Sequence, residues 1–278
     1  MVYRTDKLAI GDRMKSYERI ETDRRFSNTK PVYARIDGRS FSKFTKGMKR
    51  PYDIDMSKAM IETTKYLVQE TNASMGYCQS DEISLVWFAD DDKSKVFFNG
   101  RIQKMASNIA SLATAAFLMH AIKHWPEKCA HRLPSFDCRV IEMPSLEEAA
   151  NMILWREIDA TKNSISMAAH HYYSHKALHK KTGEEKISML KEKGVVWDDY
   201  PTFFKRGTFI RSESYLTELT AAELEKVPDA YKELNKTVTR NRIAEVDMPA
   251  FREVTNRVGV IFYGEKPQTL KQEEVKAT

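Results

Sequence analysis

The chain has 278 residues, of which 30% are charged and 10% are aromatic, and its formal net charge is +6. This composition excludes a disordered or fibrous protein and is typical of a globular chain with a sizeable core. The N-terminus has no apolar signal-peptide core, and no stretch approaches the roughly 20 apolar residues of a membrane span. The odd cysteine count, without paired spacing, fits a reducing compartment. We therefore expect a cytoplasmic protein without a membrane partner, and no transit peptide points to mitochondria.

The first half of the chain predicts strands and helices in a ferredoxin-like order. A strand of β-favouring residues stops at an Asp-Gly turn signal, and a helix with an apolar face follows it. The elements are a helix over 5–25 that packs on the domain, a strand over 31–36, a helix from about Asp53 to Asn72, a hairpin over 77–88, a helix over 94–123 and a strand over 135–143. After the first helix the order is βαββαβ, which predicts an α+β fold: an antiparallel sheet with helices on one face.

The second half predicts mainly helices laid against that sheet. The elements are helices over 146–159, 161–180 and 184–193, a strand or hairpin over 203–212, a short helix near Thr220 and a final strand from Val258 to Tyr263. We therefore divide the chain into a sheet domain with an N-terminal helix over 1–144, a mainly helical region with a β-hairpin over 145–265, and a loose polar tail over 266–278.

Two acidic turns suggest the chemistry of the protein. Asp37 closes the first strand, and Asp81 and Glu82 form the turn of the hairpin. In a strand–helix–strand–strand unit the first strand lies beside the third, so these two turns can meet. Paired carboxylates suit Mg²⁺, which prefers oxygen ligands and often keeps phosphates as its remaining partners. We therefore predict that Asp37 and Asp81 hold two Mg²⁺ ions that bind a nucleoside triphosphate, although either motif alone is more often a solvated turn.

Several basic side chains suit a polyanionic substrate, or are simply exposed charges. A lysine-rich loop ends at Arg50, and Arg101 lies one helical turn from Lys104. Both groups match the negative charge of a triphosphate. In the second half, Lys205-Arg206 and Arg211 match a nucleic-acid backbone or a solvated strand edge.

Four histidines crowd one predicted helix: His170, His171, His175 and His179. Three of them share a helix face, as metal ligands would, but no acidic residue lies among them. Imidazoles that face an RNA or a neighbouring subunit explain the pattern equally well.

Two stretches carry a resemblance to a known family. Arg-Ile-Asp-Gly-Arg-Ser-Phe over 35–41 and Gln-Ser-Asp-Glu-Ile-Ser over 79–84 resemble the two metal-binding motifs of the tRNA-histidine guanylyltransferase superfamily. These enzymes add nucleotides in the 3′-to-5′ direction at the 5′ end of tRNA. The two motif aspartates lie 44 residues apart, and the resemblance runs from about Arg13 to Ser212 with Trp155-Arg156 in the expected order.

The resemblance implies a polymerase-like palm, similar to the ferredoxin-like sheet, as the catalytic domain over 1–144. It implies that Asp37 and Asp81 bind both metal ions with help from the Gly38 carbonyl, and that Glu82 flanks them as a catalytic residue. The residues implied at the nucleotide are Arg39, Ser40, Phe41, Arg50, Asp53, Ser80, Arg101 and Lys104. At the RNA we predict Asn163, which the resemblance singles out, together with the basic Lys205, Arg206 and Arg211. The family also implies a homotetramer built from two dimers.

One segment departs from the eukaryotic pattern. Eukaryotic histidine guanylyltransferases carry His-Ile-Asn-Asn-Leu-Tyr-Asn after the Trp-Arg helix, whereas residues 161–167 read Thr-Lys-Asn-Ser-Ile-Ser-Met and keep only Asn163. The chain therefore resembles the guanylyltransferase-like branch, which implies template-dependent repair of 5′-truncated tRNAs, with activation of the 5′ end by ATP or GTP and use of other nucleoside triphosphates. Three alternatives stay open: addition of one guanosine to histidine tRNA, a nucleotide cyclase-like enzyme, and a non-catalytic tRNA-binding protein.

Overall fold

Six strands form one antiparallel sheet in the computed structural model, which describes residues 9–89, 95–228 and 237–270. The strands are β1 Val32–Gly38, β2 Met75–Gln79, β3 Glu82–Trp87, β4 Phe136–Glu142, β5 Thr208–Glu218 and β6 Thr237–Val246. Their order across the sheet is β4-β1-β3-β2-β5-β6. The first four strands are the predicted set, so the α+β prediction is confirmed, and β5 and β6 extend the sheet beside β2.

Helices pack on both faces of this sheet. The α-helices of the described residues are α1 Ile10–Thr22, α2 Phe41–Phe44, α3 Ile54–Thr71, α4 Ile102–His124, α5 Pro126–His131, α6 Leu146–Tyr172, α7 His175–Leu178, α8 Gly183–Glu192, α9 Thr202–Lys205, α10 Ala221–Leu224 and α11 Arg257–Phe262, of which α3 and α4 pack on one face of the sheet and α6 on the other. Helix α3 begins after Asp53, whose carboxylate accepts hydrogen bonds from the backbone N–H groups of Asp55 and Met56 at 3.0 and 3.1 Å. This cap satisfies two donors of the first turn and fixes where the helix begins.

Alternate side chains of β1 enter two different cores. Ile36 lies with Leu85 in the core between the sheet and helices α3 and α4, whereas Tyr33 lies with Val86 in the core beneath α6. Successive side chains of a strand point to opposite faces of its sheet. Asp37, four residues after Tyr33, therefore lies on the α6 side.

Helix α4 is the one helix in the described ranges that is long and apolar enough to cross a membrane by length and composition. Its apolar character has another explanation, because Met105, Ile109 and Phe117 are fully buried in the core beside α3 and β4. A helix that fills a core needs this composition without any lipid contact.

Several predictions for the second half were wrong. The final strand predicted from Val258 to Tyr263 is helix α11, which buries Val260 and Ile261 in the core beneath α6. A short apolar run fits the periodicity of a helix as well as that of a strand, so packing against α6 decides which one forms. The helices predicted over 146–159 and 161–180 merge into the 27-residue α6, followed by α7. The strand predicted over 203–212 begins only at Thr208, after α9, and its partner β6 was not predicted.

Helix α1 does not bury the apolar side chains that were expected to pack on the domain. None of its residues is buried, and Ile10 and Ile20 are 71% and 68% exposed. The amphipathic pattern therefore predicted the helix correctly and its burial wrongly.

The first residues of the predicted loose tail are tied to the chain. Asn256 donates its side-chain N–H to the Lys266 carbonyl at 3.0 Å and accepts the Gln268 backbone N–H at 2.9 Å. The remainder of that tail, 271–278, lies outside the described residues.

Candidate active site

The end of β1 and the turn between β2 and β3 meet at one end of the sheet. The backbone N–H of Gly38 donates to the carbonyl oxygen of Asp81 at 3.0 Å. The turn contains only Ser80 and Asp81, and Ser80 adopts the left-handed conformation with a φ of 55°. Because Asp37 directly precedes Gly38, the two aspartates predicted to bind metal lie at adjacent strand ends.

Close packing beneath this junction requires glycine at position 38. A Cβ atom there would lie 2.4 Å from the ring of Phe41. That ring is buried and packs against Phe136 and Phe117, with centroids 4.9 and 5.3 Å away. Phe41, which the resemblance placed at the nucleotide, therefore also supports the backbone that carries Asp37.

The two aspartates repel each other and have no basic partner among the described residues. Burial raises the pKa of Asp81, and the charge of Asp37 raises it further, while a hydrogen bond from Ser80 Oγ at 3.1 Å acts in the opposite direction. Within the described ranges, no lysine, arginine or histidine nitrogen lies within ion-pair distance of either carboxylate. A cation bound between them would relieve this repulsion.

The oxygen ligands at this junction fit Mg²⁺. Asp37 and Asp81 offer carboxylates, and Gly38, directly after Asp37, offers a backbone carbonyl. In the part of the chain that the structure describes, no group of three or more His, Cys, Asp or Glu side chains could hold a metal alone. Mg²⁺ is commonly bound by one or two carboxylates, with water and substrate phosphates completing its shell. Such an ion at this site would therefore depend on a bound nucleotide.

Glu82 differs from its neighbour Asp81 because an arginine holds it. Arg156 of α6 donates from Nε and Nη2 to the two oxygens of Glu82 at 2.5 and 2.9 Å. The guanidinium also lies 3.2 Å from Asp159 and 4.7 Å from the Trp155 ring. Burial raises the pKa of Glu82, and the hydrogen bond from Arg156 opposes that shift. Glu82 thus flanks the site as expected, with both oxygens already engaged.

Asp137 is an acidic neighbour that the sequence analysis missed. Asp37 lies opposite Glu82 on β3 and opposite Asp137 on β4. Asp137 is exposed, and its carboxylate lies 3.7 Å from Arg139. Only the register of β1 with β4 reveals this proximity, because no spacing in the sequence links the two positions.

A cavity of about 280 Å³ opens beside Asp81. Four residues predicted at the nucleotide line it, namely Phe41, Arg50, Asp53 and Ser80. Its apolar wall includes Tyr52, Phe203 and Met48, which the sequence analysis did not identify. An apolar wall with a few polar and charged groups beside it is typical of a small-molecule binding pocket.

Asp53 lines the cavity but is already engaged in the backbone around it. Besides capping α3, its Oδ2 accepts the backbone N–H of Lys49 at 3.2 Å. The residue therefore ties the loop that carries Arg50 to the start of the helix. These hydrogen bonds indicate a structural role for Asp53, and its role at a nucleotide stays a prediction.

The other four residues predicted at the nucleotide do not line the cavity. Arg39 and Ser40 are exposed at the turn after β1, close in sequence to Asp37. Arg101 caps the start of α4 and pairs its backbone with Arg25, and Lys104 lies 5.7 Å from the Phe98 ring. Their roles at a triphosphate stay predictions.

Each residue predicted at the RNA has a partner within the chain. Asn163 contacts Asp159, Lys205 donates to the Asp198 carbonyl, Arg206 lies near Glu157, and Arg211 contacts Glu213. Lys205 also lies 5.5 Å from the Trp197 ring. These contacts explain the positions by packing alone, so RNA binding there also stays a prediction.

Residues 11–144 match a sequence model of the family described as tRNAHis guanylyltransferase. A solved bacterial tRNA(His) guanylyltransferase (Thg1)-like protein in complex with ATP is similar, with 39% identity, a TM-score of 0.69, and coverage of 73% of this chain and 88% of that chain. Another in complex with GTP has 31% identity, a TM-score of 0.69, and coverage of 92% and 100%. The tRNA(His) guanylyltransferase of Schizosaccharomyces pombe is 33% identical over 155 residues, which are 55% of this chain and 56% of that protein.

Proposed function

Because the chain belongs to the tRNA(His) guanylyltransferase family, we propose that it repairs tRNA by template-dependent 3′-to-5′ addition of nucleotides. Family membership gives the general function: the chain is a nucleotidyltransferase that adds nucleotides at the 5′ end of tRNA. Direction, template dependence and use of metal ions belong to the proposal.

The pairing of Asp37 and Asp81 beside a cavity is the observation that carries this proposal. Within the described residues the two carboxylates have no basic partner, and Asp81 lines a cavity of about 280 Å³ whose wall includes Arg50. One of the similar bacterial proteins was solved in complex with ATP, and another in complex with GTP. We infer that ATP or GTP occupies this cavity, with its triphosphate toward the aspartates and its base against Tyr52 and Phe203.

The proposed reaction has two steps at the same strand ends. The 5′-phosphate of the tRNA attacks the α-phosphate of ATP or GTP, and pyrophosphate leaves. The 3′-hydroxyl of an incoming nucleotide then loses its proton and attacks the activated 5′-phosphate, and AMP or GMP leaves. A 5′-triphosphorylated RNA enters at the second step and releases pyrophosphate.

Residues of this chain supply position and charge for both steps. Asp37, Asp81 and the Gly38 carbonyl would hold two Mg²⁺ ions, which when bound neutralise the triphosphate and polarise the attacking hydroxyl. Arg50 would contact the phosphates from the opposite wall of the cavity. Arg156 holds Glu82 beside Asp37 through two hydrogen bonds, so that the acidic group keeps one geometry.

The segment 161–167 favours repair over dedicated addition of one guanosine. It lies within α6 and lacks the eukaryotic His-Ile-Asn-Asn-Leu-Tyr-Asn residues, apart from Asn163. Asn163 is exposed, and its side chain contacts Asp159 at 3.3 Å. Without the other residues of that motif, base pairing to the opposite strand would choose the incoming nucleotide.

Nucleotide addition to a labelled tRNA that lacks its first 5′ nucleotides tests the proposal. We expect extension by the nucleotide complementary to the opposite strand, and a changed choice when that template base is changed. A guanosine added regardless of the template base would support the histidine tRNA alternative. Products from GTP alone would support a cyclase, and binding of tRNA without extension would support a non-catalytic role.

Two further proposals concern assembly, from the family resemblance, and location, from the cysteine pattern. A homotetramer would be recognised by light scattering as a mass four times that of the 32.2 kDa chain. A cytoplasmic location is likewise proposed, and imaging of the tagged protein would test it.

A further inference from the structure

Four histidines form an exposed series where α6 ends and α7 begins. The rings of His170 and His175 stack with centroids 5.8 Å apart and an angle of 27° between their planes. His179 continues the series, 6.4 Å from His175 with an angle of 34°. We name His170, His175 and His179 the histidine ladder. His171, beside its first member, is exposed like the other three.

The histidine ladder begins at the proposed nucleotide site. A second cavity, of about 300 Å³, is lined by Arg50, Pro51, Met167, His170 and His171. Arg50, Pro51 and Met167 also line the cavity beside Asp81. The two cavities therefore adjoin through shared walls, and the ladder leads away from them toward the end of α7.

The chemistry of the ladder does not suit a metal or an internal ion pair. Among the described residues, no three potential ligands converge on a metal position. None of the four histidines has a carboxylate within ion-pair distance in the described ranges, and neither does Arg50. The cluster thus combines the positive charge of Arg50, which has no ion pair among the described residues, with flat imidazole rings that are open to solvent.

Such a combination suits single-stranded nucleic acid. A neutral imidazole keeps one N–H donor for a phosphate oxygen, and its face can stack on an unpaired base. Bases of any sequence can stack on aromatic side chains, because every base has two flat faces. A duplex offers no free base faces, so it would gain little from these rings.

We propose that the histidine ladder binds the unpaired RNA strand that emerges from the nucleotide cavity. In the repair reaction this strand is the template opposite the missing 5′ nucleotides. The inference rests on the proposed function, because only a 5′-truncated tRNA leaves that strand unpaired. It assigns to the end of α6 and to α7 the task of holding the template while its next base selects the incoming nucleotide.

Binding of two labelled tRNAs to the full chain tests the proposal. One tRNA lacks its first 5′ nucleotides, and the other is identical but fully paired. Replacing both His175 and His179 with alanine should weaken binding of the truncated tRNA about tenfold, which corresponds to about 1.4 kcal/mol. The fully paired tRNA and ATP should bind the variant within twofold of the wild type.

The double replacement of His124 and His131 provides the matched control. Both side chains are exposed near α5, outside either cavity, and neither enters the proposed site. This variant should bind both tRNAs like the wild type. An unchanged affinity of the His175 and His179 variant for the truncated tRNA would overturn the proposal. Stoichiometric binding of Zn²⁺ that the variant loses, without a change in RNA affinity, would overturn it as well.

Extension assays on the same truncated tRNA separate this inference from the proposed function. If the wild type extends the tRNA and the ladder variant binds it normally, the ladder assignment fails and the repair function stands. If the wild type extends nothing while the variant loses affinity, the repair function fails and the ladder stands as an RNA site.

Discussion

Replacing Arg156 with alanine removes the only cation that contacts Glu82 among the described residues. Its guanidinium holds both carboxylate oxygens, at 2.5 and 2.9 Å. Only 14% of the Arg156 side chain and 17% of the Glu82 side chain are exposed, so solvent screens the pair poorly. The replacement therefore leaves a carboxylate largely out of water without a partner, next to the acidic Asp37.

The expected cost follows from this burial. Removing one partner of a buried ion pair lowers the free energy of unfolding by about 3–5 kcal/mol, and the remaining exposure favours the lower end, about 3 kcal/mol. If Glu82 is first replaced with glutamine, no buried carboxylate is left without a partner when Arg156 is removed. In that background, loss of Arg156 should cost only about 1 kcal/mol, which gives a coupling energy of about 2 kcal/mol.

Urea denaturation of the two single variants and the double variant measures this coupling. Replacing Arg24 with alanine is the control, because its ion pair with Glu21 is 3.5 Å long and its side chain is 67% exposed. That control should change stability by less than about 0.5 kcal/mol. A loss below about 1 kcal/mol for the Arg156 variant, or equal losses in both backgrounds, would refute the argument.

Two further predictions concern packing and pH. Gly207 has a φ of 82°, and an added Cβ would lie 2.6 Å from the Cys78 carbonyl. Its replacement by alanine should therefore cost about 3 kcal/mol in denaturation experiments, against about 1 kcal/mol at Gly194, which has a φ of 73° and open space. Burial raises the pKa of the Cys78 and Cys138 thiols to about 12 and also raises that of Cys129. All three should resist iodoacetamide at pH 8 until urea unfolds the chain, as counted by mass spectrometry, and rapid labelling of native Cys78 would contradict this. Because the folded chain disfavours the thiolates, the contribution of these thiols to stability should be constant below about pH 8.5 and fall as pH rises toward 12.

Local signals predicted the palm-like half of the fold well. Helix α3 begins after Asp53, where the sequence predicted a helix to start, and β1 ends at the Asp37-Gly38 turn. The pattern also placed Asp81 in a tight hairpin turn, so the meeting of the two aspartates followed from the βαββ order. Each of these signals lies within a few residues of the feature that it predicts, which explains why single-sequence reasoning found them.

Features that depend on distant contacts could not be predicted in the same way. Glu82 and Arg156 lie 74 positions apart, and no motif in the sequence predicts that they pair. The run from Val258 to Tyr263 has β-favouring residues, yet packing beneath α6 makes most of it helical. Likewise, the aromatic wall of the nucleotide cavity joins Tyr52 to Phe203, with ring centroids 5.3 Å apart, only once the chain has folded.

The central claim, that Asp37 and Asp81 together form the catalytic centre, is tested most directly by nucleotide addition to a 5′-truncated tRNA with Mg²⁺. We compare the wild type with Asp37→Ala, Asp81→Ala and the control Asp12→Ala, whose side chain is exposed on α1. Loss of several kcal/mol of transition-state stabilisation should lower the rate about 10³-fold in the first two variants, with unchanged thermal stability and a fully active control. Addition at the wild-type rate by either the Asp37 or the Asp81 variant would contradict the account.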